Sequence, residues 1–329
     1  MSTSSAQISR AQDGADVNRA VTPFRRFAVF TTISTYILIF VGGFVRVSGA
    51  GLGCPDWPKC FGRWIPPTDV SQLPPEMDPS LFNFTLAWIE WVNRLIGMSV
   101  GLLIAATGIW AIVRFRKQRK IVVPAVLAAF LVAFQGWQGS VVVSSLLEPV
   151  VVTVHMLLAL IIVSLLTYLT QQAYYLEHPT AGRATEYPGA TRAITLLLWP
   201  LTLVQVGLGT QIRSVLETLA DRWPLLADTE RLARVGWLNH SHLTLGILIA
   251  VVTVFLGWRV LTRTVALSTL AQQVMIAMMV LVGVQIMIGG GFLFAGIPAM
   301  VQVFHLWVAT LFIGCLLLFF GSTGRARKA

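Results

Sequence analysis

The stretch LAWIEWVNRLIGMSVGLLIAATGIWAI, residues 86–112, carries no charge after Arg94. A hydrocarbon layer about 30 Å thick needs about 20 apolar helical residues to cross it, so this run is long enough. In lipid the backbone must satisfy its own hydrogen bonds, which leaves helices or a closed barrel. The run is continuously apolar rather than alternating, and that selects the helix. Its head, WIEWVNRLIG at 88–97, places Glu90, Asn93 and Arg94 within five positions. Ionisable groups are costly inside a membrane, which makes them candidates for function.

Runs of the same kind recur at 26–47, 121–144, 151–172, 192–214, 237–258, 269–294 and 299–320. The chain of 329 residues is 56% hydrophobic and 12% charged, whereas a soluble domain carries about 25% charge. The expected fold is therefore an all-α polytopic membrane protein with eight transmembrane helices. Residues 1–25 hold Asp13 and Asp16 and no apolar core, unlike a signal peptide or a mitochondrial transit peptide. The formal charge of +10 is spread over the N-terminus, the C-terminal tail and short loops such as RFRKQRK at 114–120. This is the positive-inside pattern, with both termini cytoplasmic, and it excludes a nucleic-acid binder in favour of a chain embedded in membrane lipid.

The two halves repeat. Gln135, Gly139 and His155 recur as Gln285, Gly289 and His305, with HMLLA at 155–159 answering HLWVA at 305–309. NRLIG at 93–97 aligns with HLTLG at 242–246, and GGFVR at 42–46 with GTQIR at 209–213, setting Arg46 against Arg213. Four landmarks in register divide the chain into two pseudo-symmetric four-helix bundles, 26–172 and 192–320. Between them 173–191, with Pro179, Gly182, Pro188 and Gly189, reads as a cytoplasmic linker. Residues 1–25 form a cytoplasmic tail and 321–329 a basic one.

Five histidines are present. His178 falls in the linker, while His155, His242 and His305 fall near the outer ends of spans. Two histidines on different helices of one bundle suit axial ligation of a haem iron. Zinc would want further ligands, which the spans do not offer. His240 lies roughly 200° around the helix from His242, so one ring cannot meet both. The repeat selects His242. Small residues four positions after each histidine (Ala159, Gly246, Ala309) leave room for a flat ring or, alternatively, for close helix packing.

Cys54 and Cys60 lie in the first outer loop, in CPDWPKC, where an oxidising compartment permits a disulfide. A metal pair is the weaker alternative because no histidine is near. Cys315 sits within the last span. Glu90 shares a helix face with Asn93 and Arg94, at i,i+3 and i,i+4. The trio reads either as an ion pair at the helix mouth or as a proton-handling group. Arg46, Arg94 and Arg213 stand at outer span ends, where they can grip carboxylates such as haem propionates or snorkel to the interface.

Together, GGFVRVSGAGLGCPDWPKC at 42–60, the acid and Arg in WIEWVNRLIG, and histidines at matching places in spans four, six and eight resemble the haem A synthase family across residues 26 to about 320. The resemblance implies an oxidoreductase of the bacterial cytoplasmic membrane with its active site toward the periplasm. Such an enzyme converts a ring methyl group of haem O to the formyl group of haem A for haem–copper oxidases. It implies a haem b cofactor between His242 and His305, substrate haem O at His155, an essential acid at Glu90, and a structural or redox-active pair at Cys54 and Cys60. Haem O synthase and oxidase assembly proteins are the protein partners that would follow, and self-association is left open.

The family pattern has histidine where this chain has Asn93, so the substrate iron is expected to take His155 alone, or else no ligand from span two. Asn93, Arg94, Arg46 and Arg213 complete the expected substrate-binding set. Two other classes compete. A di-haem b-type electron carrier needs bis-histidine ligation in both halves, which Asn93 disfavours. A haem or small-molecule transporter would show broken helices at matching places, and few Gly or Pro interruptions are found.

Overall fold

The computed structural model describes residues 2–181, 186–264 and 266–324. Among them the regular structure is nine α-helices and three short 3-10 turns, without a β-strand. α1 spans Ser2–Val47, α2 Phe84–Phe115, α3 Arg119–Ser144, α4 Pro149–Glu177 and α5 Thr191–Arg222. α6 spans Asp228–Arg234, α7 Trp237–Arg263, α8 Thr269–Ala295 and α9 Ala299–Thr323. All but α6 are long and apolar enough to cross a membrane, giving the eight spans expected.

Local chemistry sets the boundaries. The Asn83 side chain accepts from the Leu86 amide at 3.1 Å and caps α2. Pro149 opens α4 while the Glu148 carboxylate accepts from the Val151 amide at 2.8 Å. α8 stops at Gly296, whose φ of 79° and ψ of −170° is a conformation that only glycine adopts readily.

Three boundaries depart from expectation. α1 begins at Ser2, far ahead of the span start at 26. Extending a formed helix costs far less than nucleating one, and no proline precedes Pro23. α5 continues to Arg222, and the short helix α6 was not foreseen. Both follow from one apolar contact: Ile212 and Leu216 of α5 bury against Leu232 and Val235 at α6. The Asp228 carboxylate then ties α6 to the α8–α9 turn by accepting from the Ile297 amide at 3.2 Å.

In the first half α1 packs on α2 and α4, α2 on α3, and α3 on α4, closing a four-helix ring. α5, α7, α8 and α9 close a second ring in the same way. α2 and α4 therefore occupy opposite corners of one ring, and α7 and α9 opposite corners of the other. α9 packs against α1 and α4, and α4 against α5, joining the halves. Ile39, Leu160, Val163, Val206, Ala309 and Ile313 bury one another at that seam. Helix association in lipid rests on close packing rather than on transfer from water, so small residues belong there. Ala159 and Ala309 are both part of the seam, which assigns them to helix packing instead of to the face of a flat ring.

Each ring has a large buried core toward one end. Phe24, Ile104, Phe115, Ala125, Leu166 and Leu169 fill the first at the end nearest the 178–190 linker. Leu256, Met275, Met278, Phe312 and Phe319 fill the second at the same end. The opposite end, which carries loops 48–83, 145–148 and 223–236, is where His155, His240, His242 and His305 lie.

Candidate functional site: histidines at the loop end of each bundle

His242 on α7 and His305 on α9 face each other across the second ring, with ring centroids 6.4 Å apart and planes at 53°. Nδ1 of His242 lies 3.1 Å from the backbone oxygen of Gln205. A carbonyl can only accept, so Nδ1 carries the proton and Nε2 keeps its lone pair. The Gln205 side chain returns the contact, donating from Nε2 to the His242 carbonyl at 2.9 Å. Nδ1 of His305 is buried with no hydrogen-bond partner among the described residues, and Phe292 stacks edge-on to the ring at 5.4 Å.

Glycines make room for these rings. A methyl group added at Gly209 would lie 3.2 Å from Cε1 of His242, and one at Gly289 3.3 Å from Cε1 of His305. In the first ring a methyl at Gly139 would lie 3.6 Å from Cε1 of His155. A side chain at Gly209 or Gly289 would therefore crowd the imidazole beside it, whereas at Gly139 a methyl would make only ordinary contact. Gly42, the counterpart of Gly209, faces space with no atom within 4 Å of such a methyl. Asn93, the counterpart of His242, is half-buried, and its amide has no hydrogen bond among the described residues. Gly246 has a different neighbour: a methyl there would lie 3.0 Å from Nε2 of Gln205. Its smallness admits the glutamine that holds His242 rather than a bound ring.

Glu90 is buried, with 6% of its surface exposed, and its Oε1 accepts from Nε of Arg94 at 2.9 Å. Oε2 has no partner among the described residues. Arg94 is the hub of the first loop. Its Nη1 donates to the carbonyls of Asp56 and Lys59, each at 2.8 Å, and its Nη2 to that of Cys54 at 3.2 Å. Cys54 and Cys60 are joined by a disulfide and are fully buried against Ala87. The Asp56 carboxylate accepts from the amides of Phe61 and Gly62, which turn the chain through positive φ. At Gly53 the loop lies so close to α2 that any side chain would strike the Leu86 carbonyl. The loop thereby forms a lid fixed to the helix that carries Glu90, and most of the Arg94 guanidinium is committed to holding it.

Arg46 and Arg213 meet at the boundary between halves. Arg46 Nη2 and Arg213 Nε contact the two oxygens of Glu217 at 3.0 and 2.9 Å, and Arg46 also donates to Ser214 at 2.9 Å. His240 is exposed, with Nδ1 against the Gly236 carbonyl at 2.9 Å, and takes no part in the facing pair. His178 is exposed at the end of α4, beside Tyr174.

Sequence reasoning missed Gln138, Gln205, Asp56 and Glu217. Glu217 was signalled by its position four residues after Arg213, while Gln138 was not distinguished from its neighbour Gln135. Gln205 and Asp56 carried no signal beyond their polarity.

Among the described residues no three of His, Cys, Asp and Glu converge on a point. The facing pair alone is too few for a protein-only metal site but suffices for a metal that brings its own four equatorial donors. An iron about 2 Å from one nitrogen of each imidazole sets the ring centroids about 6 Å apart. The observed separation of 6.4 Å fits.

A stretch of 144 residues is 35% identical to the haem A synthase of Shewanella oneidensis, covering 42% of each chain. The haem A synthase of Exiguobacterium sibiricum is 27% identical over 307 residues, covering 92% of this chain and 96% of that one. That of Bartonella tribocorum is 26% identical over 213 residues, covering 57% of this chain and 58% of that one. The chain thus aligns with under half of the Shewanella protein's length and nearly all of the Exiguobacterium protein's. The profile of the COX15-CtaA family, described as cytochrome oxidase assembly protein, matches residues 25–317. With eight apolar helices and paired histidines behind that match, the chain belongs to the cytochrome oxidase assembly protein family.

Proposed function

We propose that this protein is a haem A synthase that oxidises a ring methyl group of haem O to a formyl group. The observation that carries the reading is the contrast between equivalent positions of the two halves. WIEWVNRLIG aligns with WLNHSHLTLG, residues 237–246. Where the second half has Asn239, His242 and Leu243, the first has Glu90, Asn93 and Arg94. The second half keeps a histidine at both opposite corners of its ring and has Asn239 and Leu243 in place of the acid and the base. The first keeps one histidine and gains a buried acid–base pair. That division suits a cofactor site and a substrate site, and an electron carrier would have no use for the second.

In this reading His242 and His305 hold haem b, which when bound supplies one-electron redox chemistry. His155 holds the iron of substrate haem O, and the space beside Gly42 and Asn93 leaves its other face open. Written against water, R–CH3 + H2O gives R–CHO, four protons and four electrons, and the electrons leave to an oxidant supplied from outside the chain. In the same reading Glu90 accepts protons through Oε2, while Arg94 holds Oε1 and carries the loop that shields the site from water. Arg46 and Arg213 share one carboxylate, leaving positive charge to receive haem propionates. The basic loops 114–120 and 259–263, together with the tails, favour the linker end as cytoplasmic, with the haem sites toward the periplasm.

Expression with a haem O supply, in cells without their own activity, tests the reading. Acid–acetone extracts are expected to contain formylated haem, identified by its reduced pyridine spectrum. Extracts with only haem B and unchanged haem O would favour the electron carrier.

A further inference from the structure

We propose that Gln138 is a positioning residue that fixes the tautomer of His155 and presents its Nε2 to the substrate iron. Gln138 lies near the end of α3, opposite the first turns of α4, and is buried with 5% of its surface exposed. Its Nε2 donates to the Val151 carbonyl at 3.0 Å, and its Oε1 lies 2.8 Å from Nδ1 of His155. These two contacts determine the protonation of the ring. The Val151 carbonyl can only accept, so the amide nitrogen of Gln138 must face it. Oε1 must then face the imidazole, where it too can only accept. Nδ1 therefore carries the proton, and Nε2 keeps a lone pair for a metal.

A metal-bound histidine normally donates its other N–H to an acceptor, which holds the ring in place and raises its basicity. The three histidines differ in this respect. His242 donates to a backbone carbonyl, and His155 to a side chain that is itself anchored on the Val151 carbonyl. His305 has no acceptor at Nδ1 among the described residues. The repeat explains the contrast: Gln135, Gly139 and His155 recur 150 residues later as Gln285, Gly289 and His305, and by the same offset Gln138 falls on Ile288. Gln138 belongs to the half that keeps one histidine. An iron held from one side depends on a single imidazole for its axial field, so fixing and enriching that imidazole matters most there.

The inference rests on His155 being the substrate ligand. The test is a titration of purified protein with ferrous haem O, read by difference spectrum and by the iron–histidine stretch in resonance Raman. That stretch rises in frequency as the hydrogen bond at Nδ1 strengthens. Gln138→Ile, which copies the second half, is expected to weaken haem O binding by roughly 10–100-fold and to lower the stretch. Gln138→Glu is expected to restore binding. Neutral, it donates to Val151 through O–H and accepts through its carbonyl; ionised, it is the stronger acceptor. The haem b spectrum of the other half reports whether each variant is folded. If Gln138→Ile loses that spectrum, Gln138→Met, which keeps the length and removes the acceptor, carries the same expectation. Wild-type affinity and frequency in a folded Gln138→Ile or Gln138→Met protein would overturn the inference. His155→Ala separates the two readings. Unchanged haem O binding in that variant rejects His155 as the substrate ligand, whereas loss of binding there with no effect at Gln138 rejects only the positioning role.

Discussion

Replacing Glu90 with alanine is expected to reduce haem A formation by roughly 10²–10⁴-fold, the usual range for a positioned acid–base group. Two effects need separating, because Glu90 also pairs with Arg94. Removing one partner of a buried ion pair costs about 3–5 kcal/mol when the other is left uncompensated. Arg94 is not left so, since its Nη atoms keep three loop carbonyls. The loop is therefore expected to stay docked in the alanine variant. Glu90→Gln makes the cleaner comparison. Its amide oxygen can still accept from Nε of Arg94, so the local structure is preserved and only the proton-accepting charge is lost. Product yield from haem O, measured by extraction against wild type, is expected to fall to a similar level in both variants. Near wild-type yield in Glu90→Gln would assign Glu90 to the loop's architecture and remove it from the chemistry.

Loss of either facing histidine is expected to have the other large effect. His242→Ala or His305→Ala deletes one of two ligands directly. Outer-shell changes already cost 10–100-fold in metal affinity, so the loss here should be on the order of 100-fold or more. These variants are expected to purify without haem b, seen as loss of the reduced α-band, and to make no haem A. His155→Ala is expected to retain the haem b band while losing the product. His240→Ala should change neither, because its exposed ring faces away from the pair. Retention of haem b in His242→Ala together with its loss in His240→Ala would move the ligand to the other residue.

Much of this was legible in the sequence, for identifiable reasons. The eight spans followed from apolar length, a constraint that lipid imposes on every spanning helix. The pairing of His242 with His305 followed from the repeat register, which also explained why His240 stood apart. Other features were set by contacts between segments distant in sequence. Arg94 looked like a carboxylate clamp, but the carbonyls of Cys54, Asp56 and Lys59 occupy most of its donors. Gly246 looked like room for a ring and instead admits the Gln205 amide. The α5 extension and α6 stabilise each other through Leu216 and Leu232, a mutual contact that neither segment announces alone. Gln138 was passed over because nothing in QGWQG distinguishes the glutamine that reaches an imidazole from the one that reaches only a carbonyl.

In the proposed reading the two halves hold their haems differently, with two histidines in one and a single histidine in the other. Low-temperature electron paramagnetic resonance of the oxidised protein, before and after loading with haem O, distinguishes this from any other arrangement. One low-spin bis-histidine signal from haem b is expected, with a high-spin signal that appears only with haem O and converts to low spin in Asn93→His. Two bis-histidine signals in the unaltered protein, or a high-spin signal from haem b alone, would contradict it.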